Sequence, residues 1–411
     1  MKFGLLGRTL GHSFSPRIHS ALGNTNYELF EREPSQLQEF FDDHELQGIN
    51  ITFPYKVNAL EACDVVDPRA ERIGCVNTMV RKDGKWHGYN TDYDGFVFTL
   101  QHAGIDVSGK ECIILGDGAS SATVHVALED LGAKSITHLS RKTPPFYNDA
   151  PNYYETAQII INCTPIGMYP HNPANLIDIT QFSKLEGVVD LIYNPRRTVL
   201  LLQAEMMEIP HCDGLPFLVA QGVEAANHFQ GESFGTKEIE QILRDMRREK
   251  ENIILIGMPG VGKTTVGKAL GEEMGRTCVD VDEELEKEIG DISTYITEQG
   301  EPVFREKEAE MIAKLGTETG LVISTGGGCV TVPKNYAHLR QNGRIYQLTQ
   351  PVENLSTSGR VLSGGGIERL RELEATRTPM YESFAQCIVE HNRNAPDTVA
   401  AILEDFEANL L

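Results

Sequence analysis

The sequence predicts an α/β protein, and three observations carry that prediction. Strand-like apolar runs alternate with helix-like segments along the whole chain. Two of those runs end in glycine-rich turns that lead straight into helical patterns. The first passes from Cys112-Ile113-Ile114-Leu115 into Gly116-Asp117-Gly118. The second passes from Ile253-Ile254-Leu255-Ile256 into Gly257-Met258-Pro259-Gly260-Val261-Gly262-Lys263-Thr264. The length of 411 residues suggests roughly two to three domains. The expected architecture is therefore an α/β N-terminal domain, a Rossmann-type dinucleotide-binding domain, and a phosphate-loop domain on a parallel sheet.

Composition bounds the function. Hydrophobic residues make up 40% and charged residues 23%, enough to bury sizeable cores. The formal net charge of −22, from Asp+Glu 59 against Lys+Arg 37, repels nucleic acid and anionic membrane. An anionic substrate would then need locally gathered Arg and Lys. The 8 cysteines are scattered, with no C-x-x-C pair, and read as reduced core residues of a cytoplasmic protein. The apolar run Phe3–Leu6 is too short for a signal peptide, and no run is long enough to span a membrane.

The first hundred residues alternate apolar runs with polar clusters. These are Gly11–Pro16 followed by His19, then Asn50–Lys56, then Gly74–Thr78 facing Gly88–Asp92 across a hairpin turned at Asp83-Gly84. Hydroxyls, amides, one lysine and one aspartate at strand ends suit a small polyhydroxylated acid. Ordinary turn chemistry is the alternative. A second strand–loop–helix unit opens near Gly109-Lys110 with the Cys112–Leu115 run and its Gly-x-Gly turn, and is followed by the strand-like Ser135–Leu139. That strand ends in Ser140-Arg141-Lys142, with no carboxylate for a ribose 2′-hydroxyl. Basic residues there suit the 2′-phosphate of NADP, or else form a solvated loop.

The best boundary lies within 235–252. Glu238–Met246 has helical apolar spacing, and the charged run Arg247–Glu251 reads as a solvated face or linker. The phosphate loop follows. Its glycines let backbone N–H groups close around phosphate oxygens, Lys263 brings a mobile cation, and Thr264 is placed for Mg²⁺. Val279–Asp282 reads as a strand ending in two carboxylates, one for the metal and one for a substrate hydroxyl. Gly300–Arg305 precedes Glu308 on a helix, and Leu321–Thr325 runs into Gly326-Gly327-Gly328.

The N-terminal segments resemble shikimate dehydrogenase over residues 1 to about 250. The resemblance rests on Ser13-Phe14-Ser15-Pro16, on Asn50-x-Thr52-x-Pro54-x-Lys56, on Asn77 with Asn90-Thr91-Asp92, and on two later blocks. These blocks are Asn162–Met168, which resembles the family's strand beside the nicotinamide, and Asp190–Pro195. It implies that Ser13, Ser15, Thr52, Lys56, Asn77, Asp92 and Gln221 hold substrate, with Lys56 and Asp92 catalytic. It places Gly116, Gly118, Ala119, Ser140, Arg141, Lys142 and Gly214 at the NADP(H) site. It divides this half into a substrate domain, 1–100 with a return segment 215–250, and a nucleotide domain, 101–214. Ser121 at the third glycine position, Ser140 in place of an asparagine, and a short segment 142–158 with Pro144-Pro145, where a helix is expected to be missing, depart from the pattern.

Residues 252 to 411 resemble shikimate kinase. The resemblance implies shikimate held by Asp282, Arg305, Gly327, Gly328 and Arg377, with Asp282 catalytic. It implies ATP held by Gly260, Gly262, Lys263, Thr264, Thr265, Arg360 and Arg393, and Mg²⁺ by Thr264 and Asp280. Arg360-Val361-Leu362-Ser363 followed by Gly364-Gly365-Gly366 replaces the usual lid, implying a flexible one. The combined expectation is NADPH-dependent reduction of 3-dehydroshikimate followed by phosphorylation of shikimate by MgATP. A quinate-type dehydrogenase joined to another small-acid kinase, and a metabolite sensor with a binding-only first half, are the alternatives. The sequence leaves the oligomeric state open.

Overall fold

A computed structural model describes every residue except Met1, His12, His171, 357–365 and 392–393. The expectations for Arg360, Arg393 and the lid glycines Gly364-Gly365 lie outside the described residues. The chain divides into two compact units, Met1–Leu243 and Arg244–Leu411.

The first unit holds two sheets. The N-terminal sheet comprises β1 (Lys2–Gly7), β2 (Tyr27–Glu31), β3 (Leu46–Ile51), β4 (Val65–Val66), β5 (Thr78–Lys82) and β6 (Lys85–Tyr89), in the order β2-β1-β3-β5-β6-β4. β1 pairs in parallel with β2 and β3, while β5 runs antiparallel to both β3 and β6. The β5–β6 hairpin turns at Asp83 (φ +50°) and Gly84 (φ +76°), both positive as a type I′ turn requires. Leu6, Phe40, Ile49, Met79 and Trp86 fill the core of this sheet. A parallel ladder tends to be buried on both faces, and β1 accordingly carries the near-continuous apolar run of the N-terminus.

The second sheet is wholly parallel. Its strands β7 (Glu111–Leu115), β8 (Ser135–Leu139), β9 (Ile159–Asn162), β10 (Gly187–Asp190) and β11 (His211–Cys212) lie in the order β11-β10-β9-β7-β8. From β7 the chain crosses to β8 on one side and then to β9 on the other. This creates a topological switch point between β7 and β9, where ligands bind in open α/β sheets. Separate apolar cores cover the two faces. The segment after Lys142 contains only the 3-10 stretch Tyr147–Tyr153 before β9, so no α-helix bridges β8 and β9. The return helix Leu215–Gln230 packs on the helix Asp92–Ala103. A Cβ on Gly95 would lie 2.7 Å from the Phe217 carbonyl oxygen and 3.0 Å from the Gln221 side chain.

The second unit has a five-stranded parallel sheet of β12 (Asn252–Gly257), β13 (Cys278–Asp280), β14 (Val322–Ser324), β15 (Gly343–Thr349) and β16 (Cys387–Glu390), ordered β13-β14-β12-β15-β16. β12, buried along its whole length, is central and feeds the glycine-rich loop.

Two expectations are corrected. The strand thought to run through Asp282 ends at Asp280, which caps the helix Val281–Ile289 by accepting from the N–H groups of Asp282 and Glu283. A carboxylate at that position captures helix N–H donors, so the helix starts earlier than the apolar pattern suggests. The charged run Arg247–Glu251 is not an exposed linker. Through Lys250 it forms the last turn of the helix Thr236–Lys250. Arg247 and Glu251 are buried, because Arg247 Nη1 donates to the Leu410 carbonyl (3.0 Å) and Glu251 leads directly into a central strand.

Candidate active sites

The Asn50–Lys56 segment runs off the end of β3 and into the helix Lys56–Ala62. Lys56 and Asp92 each open a helix, Lys56–Ala62 and Asp92–Ala103. Lys56 Nζ lies 2.5 Å from Asp92 Oδ2, with side-chain exposures of 14% and 5%. Burial pulls the Lys56 ammonium down, but the adjacent Asp92 carboxylate reverses this and leaves its pKa above the ordinary lysine value. Asn77 Nδ2 donates to Asp92 Oδ1 (2.8 Å) and reaches Gln221 Oε1 (3.5 Å), and Asn77 Oδ1 accepts from the Thr91 N–H.

Behind Asn77 stands a buried amide that is absent from the expected site residues. Asn50 Oδ1 accepts from Tyr27 Oη (2.7 Å) and from His19 Nε2 (3.1 Å), while Asn50 Nδ2 donates to Thr78 Oγ1 (3.0 Å). Burial pushes His19 down to about 3, so the ring stays neutral and Nε2 carries the donated proton. Asn50 stood first in its motif, but only its burial under three partners reveals that it orients the others.

Ser13, Ser15, Thr52, Lys56, Asn77, Asp92 and Gln221 all border one cavity of about 370 Å³. Tyr193, from the Asp190–Pro195 block, borders it as well. A second cavity of about 620 Å³ lies beside it, lined by Gly116, Gly118, Ala119, Arg141, Tyr147 and the Cys163–Ile166 loop. Thr52, Lys56 and Ser120 line both cavities. The second cavity sits at the β7/β9 switch point. Gly116 has φ +119°, and a Cβ there would stand 3.1 Å from Thr164 Cγ2, so the loop closes tightly on its neighbour strand. β9 ends at Asn162, so Cys163–Met168 borders this cavity as a loop rather than as a strand.

Three expected cofactor residues are not among those lining it. Ser140 is buried, and its Oγ accepts from the N–H groups of Lys142 and Thr143, shaping the turn that carries Arg141. Lys142 is exposed. Gly214 packs on the β10 end, where a Cβ would lie 2.0 Å from the Leu191 carbonyl oxygen. Its missing side chain lets the return helix start there. Tyr147, which lies in the unassigned stretch after Lys142, lines the cavity in their place.

In the second unit, the phosphate loop has Gly257, Gly260 and Gly262 at φ +139°, +84° and +99°, backbone that favours glycine. Lys263 Nζ donates to the Gly257 and Met258 carbonyls (2.9 and 3.1 Å). Thr264 Oγ1 donates to Asp280 Oδ2 (2.6 Å), and Thr265 is exposed on the same helix turn. Oxygen donors of this kind suit Mg²⁺.

The Gly326-Gly327-Gly328 run packs on a charged cluster. A Cβ on Gly326 would meet Glu308 Oε1 and Asp282 Oδ1, one on Gly327 would meet Pro259 of the phosphate loop, and one on Gly328 would meet the Arg305 guanidinium. Arg305 pairs with Glu308 (2.7 Å) and Glu301 (3.0 Å). Arg377 Nη1 donates to the Gly327 carbonyl (2.9 Å), as does Tyr381 Oη. Glu308 is fully buried. Burial raises its carboxyl pKa against the pull of Arg305, and Asp282 raises it further. Its Oε1 has no hydrogen-bond partner among the described residues. Its place one turn beyond Arg305 was the available signal that it belongs to the site.

Comparison with known proteins agrees with both halves. The profile described as "Shikimate dehydrogenase substrate binding domain" matches residues 5–79, and that described as "Shikimate kinase" matches residues 259–407. The chain is 34% identical over 265 residues to Shikimate dehydrogenase (NADP(+)) of Clostridium perfringens, spanning 60% of this chain and 98% of that enzyme. A chorismate mutase/shikimate 5-dehydrogenase fusion protein from Clostridium acetobutylicum superposes with a TM-score of 0.57 at 31% identity, over 59% of this chain and 96% of that one. Shikimate 5-dehydrogenase from Thermus thermophilus, solved with NADP(H) and shikimate, gives a TM-score of 0.53 at 28% identity, over 60% and 99%. The chain belongs to the shikimate dehydrogenase family through its N-terminal part and carries a shikimate kinase domain after it.

Proposed function

We propose that this is a bifunctional enzyme that reduces 3-dehydroshikimate to shikimate with NADPH and then phosphorylates shikimate with MgATP. The observation that carries the reading is the buried Lys56–Asp92 pair, with Asp92 bordering the smaller cavity and Lys56 standing on the wall shared by the two cavities. That wall is where a substrate ketone and a hydride donor must meet. Bound NADPH supplies the hydride, and bound MgATP supplies the phosphoryl group.

In the first site Lys56 polarises the ketone oxygen and transfers a proton from Nζ to the alkoxide as it forms. Positioned acid catalysis of this kind contributes about 10²- to 10⁴-fold. Asp92, itself fixed by Asn77, holds the ammonium in line and balances its charge. Ser13, Ser15, Thr52 and Gln221 bind the acid and its hydroxyls. Arg141 offers the 2′-phosphate a guanidinium fork.

In the second site the phosphate loop, Lys263 and Thr265 hold ATP, and Thr264 with Asp280 would hold Mg²⁺. Lys263 must exchange its two carbonyl partners for phosphate oxygens. Asp282 accepts or orients the proton of the attacking hydroxyl. Arg305 and Arg377 hold the substrate carboxylate, with Gly327 and Gly328 admitting the ring close to backbone. An intact Lys56–Asp92 pair disfavours a binding-only sensor.

One assay tests the whole reading. Supplied with 3-dehydroshikimate, NADPH and excess MgATP, the chain should oxidise NADPH and, by the time the reaction is complete, release an equal amount of ADP. Omitting NADPH should abolish both signals, and adding shikimate should restore only ADP release. NADPH oxidation with the 3-keto form of a quinate-type acid but not with 3-dehydroshikimate would overturn the assignment of the first site.

A further inference from the structure

Two histidines that take no part in the reaction stand behind the glycine loop of the dehydrogenase. His138 on β8 and His125 on the helix Ala119–Asp130 face each other, with His125 Nδ1 2.9 Å from His138 Nε2. The other nitrogen of His138, Nδ1, lies 3.2 Å from the Gly116 carbonyl oxygen. The neighbouring Leu139 carbonyl accepts from the Gly116 N–H at 2.9 Å. β8 therefore holds both polar groups of the glycine that opens the loop. That glycine lines the larger cavity and sits at φ +119°.

The proton positions follow from valence. A carbonyl only accepts, so His138 Nδ1 carries hydrogen. In the neutral ring Nε2 is then an acceptor, and His125 Nδ1 must donate to it. His125 Nε2 faces Glu129 Oε1 at 3.4 Å and can take an added proton without loss of any bond. A second added proton has to enter His138 Nε2, which already faces an N–H at 2.9 Å. Two donors then oppose each other and the chain of bonds parts. Burial lowers the His138 pKa, while the Gly116 carbonyl and Asp117 oppose that shift and His125 adds to it. The charged groups around the pair are Glu129 on the same helix, Asp117 in the glycine loop, and Arg72, which engages Glu129 (2.8 Å) and Asp130 (2.6 Å).

We infer that His138, backed by His125, is a positioning residue that holds the glycine loop in its binding shape, and that double protonation of the pair loosens the loop and weakens cofactor binding in acid. The inference rests on the reading of the larger cavity as the NADPH site.

The test uses the full chain and measures NADPH dissociation constants by fluorescence from about pH 8 down to about pH 4, below the ordinary histidine range, because burial and His125 lower the His138 pKa. His138→Leu should weaken NADPH roughly threefold to tenfold at pH 8, the net contribution of about one hydrogen bond. The reduction kcat at saturating cofactor should stay within about twofold of wild type, and kinase turnover by the same chain should be unchanged, since one hydrogen bond in the cofactor loop bears on neither chemical step. His125→Leu frees His138 Nε2 to take a proton while Nδ1 keeps its carbonyl. This variant should therefore match wild type at pH 8 and bind NADPH more tightly than wild type in acid. Ratios of variant to wild-type constants remove the titration of the cofactor's own 2′-phosphate. Identical pH dependence in wild type and His125→Leu would overturn the inference, even if His138→Leu did not fold. So would a loss of kcat in His138→Leu with NADPH binding unaltered. A wild-type chain that binds no NADPH at any pH would defeat the reading of the cavity itself.

Discussion

At the scale of single residues, the Lys56–Asp92 pair makes the sharpest demands. Burial acting alone would lower the Lys56 pKa, and the Asp92 carboxylate reverses that shift. Lys56→Ala should lower the reduction rate by about 10²- to 10⁴-fold and leave ADP release from added shikimate intact. Asp92→Asn should fall nearly as far, with a second signature. In the wild type the raised lysine pKa keeps the acid protonated until pH exceeds its ordinary value of 10.5. With the carboxylate gone, burial is unopposed and the pKa drops, so the alkaline limb of kcat/KM should move to lower pH. A limb that stays in place would mean that Asp92 does not set the Lys56 proton. Arg141 is the basic residue after β8 that lines the larger cavity, whereas Lys142 does not. Arg141→Ala should therefore weaken NADPH more than NADH, and Lys142→Ala should do little. Equal losses with both cofactors in Arg141→Ala would show that the 2′-phosphate is held elsewhere. In the kinase, Arg377→Ala removes a buried guanidinium that also ties down the Gly327 carbonyl. The KM for shikimate should rise by the equivalent of about 2–5 kcal/mol, and the KM for ATP should change far less.

At the scale of elements, the helix Thr236–Lys250 changes how the chain can be divided. Its last turn belongs to the second unit, where Arg247 caps the Leu410 carbonyl and Arg248 pairs with Glu407 (2.8 Å). A kinase fragment beginning at Glu251 loses these ties and should unfold at lower denaturant than one beginning at Ser233. Arg247→Ala in the full chain should cost about 1–3 kcal/mol, the penalty for leaving a buried carbonyl unsatisfied. Denaturation followed through kinase activity would check both. No loss in either case would return the segment to the status of a linker. The same lesson applies to the helix Val281–Ile289. A run of acidic residues reads as strand tip or helix start with equal ease, and only the hydrogen bonds from Asp282 and Glu283 to the Asp280 carboxylate decide it.

At the scale of the whole molecule, the two units have separate cores, and each site is built within one unit. A cut between the exposed Glu232 and Ser233 should therefore yield fragments that retain reduction and phosphorylation, whereas a cut at Glu249 should spare only the first. Shikimate is small and diffusible, so proximity alone does not retain it. With labelled shikimate added during turnover of unlabelled 3-dehydroshikimate, the phosphorylated product should carry the label in proportion to the bulk pool. Exclusion of the label would mean direct transfer between the sites. The sequence by itself determined the α/β class, the two glycine-rich loops and the motif residues Lys56, Asp92, Lys263 and Thr264. These depend on local rules, namely the period of apolar residues, the φ that glycine permits and the spacing of a phosphate loop. Only the tertiary structure decided that Asn50 is buried against His19, Tyr27 and Thr78, that Glu308 is buried against Arg305, and that Tyr147 lines the larger cavity while Ser140 and Gly214 shape backbone. It alone decided that His138 reaches the Gly116 carbonyl and that His125, 13 positions away in sequence, backs it. Those roles depend on burial and on partners distant in sequence. A buried amide or carboxylate acquires its role from the groups that desolvate and hydrogen-bond it, and no local pattern encodes which groups those will be.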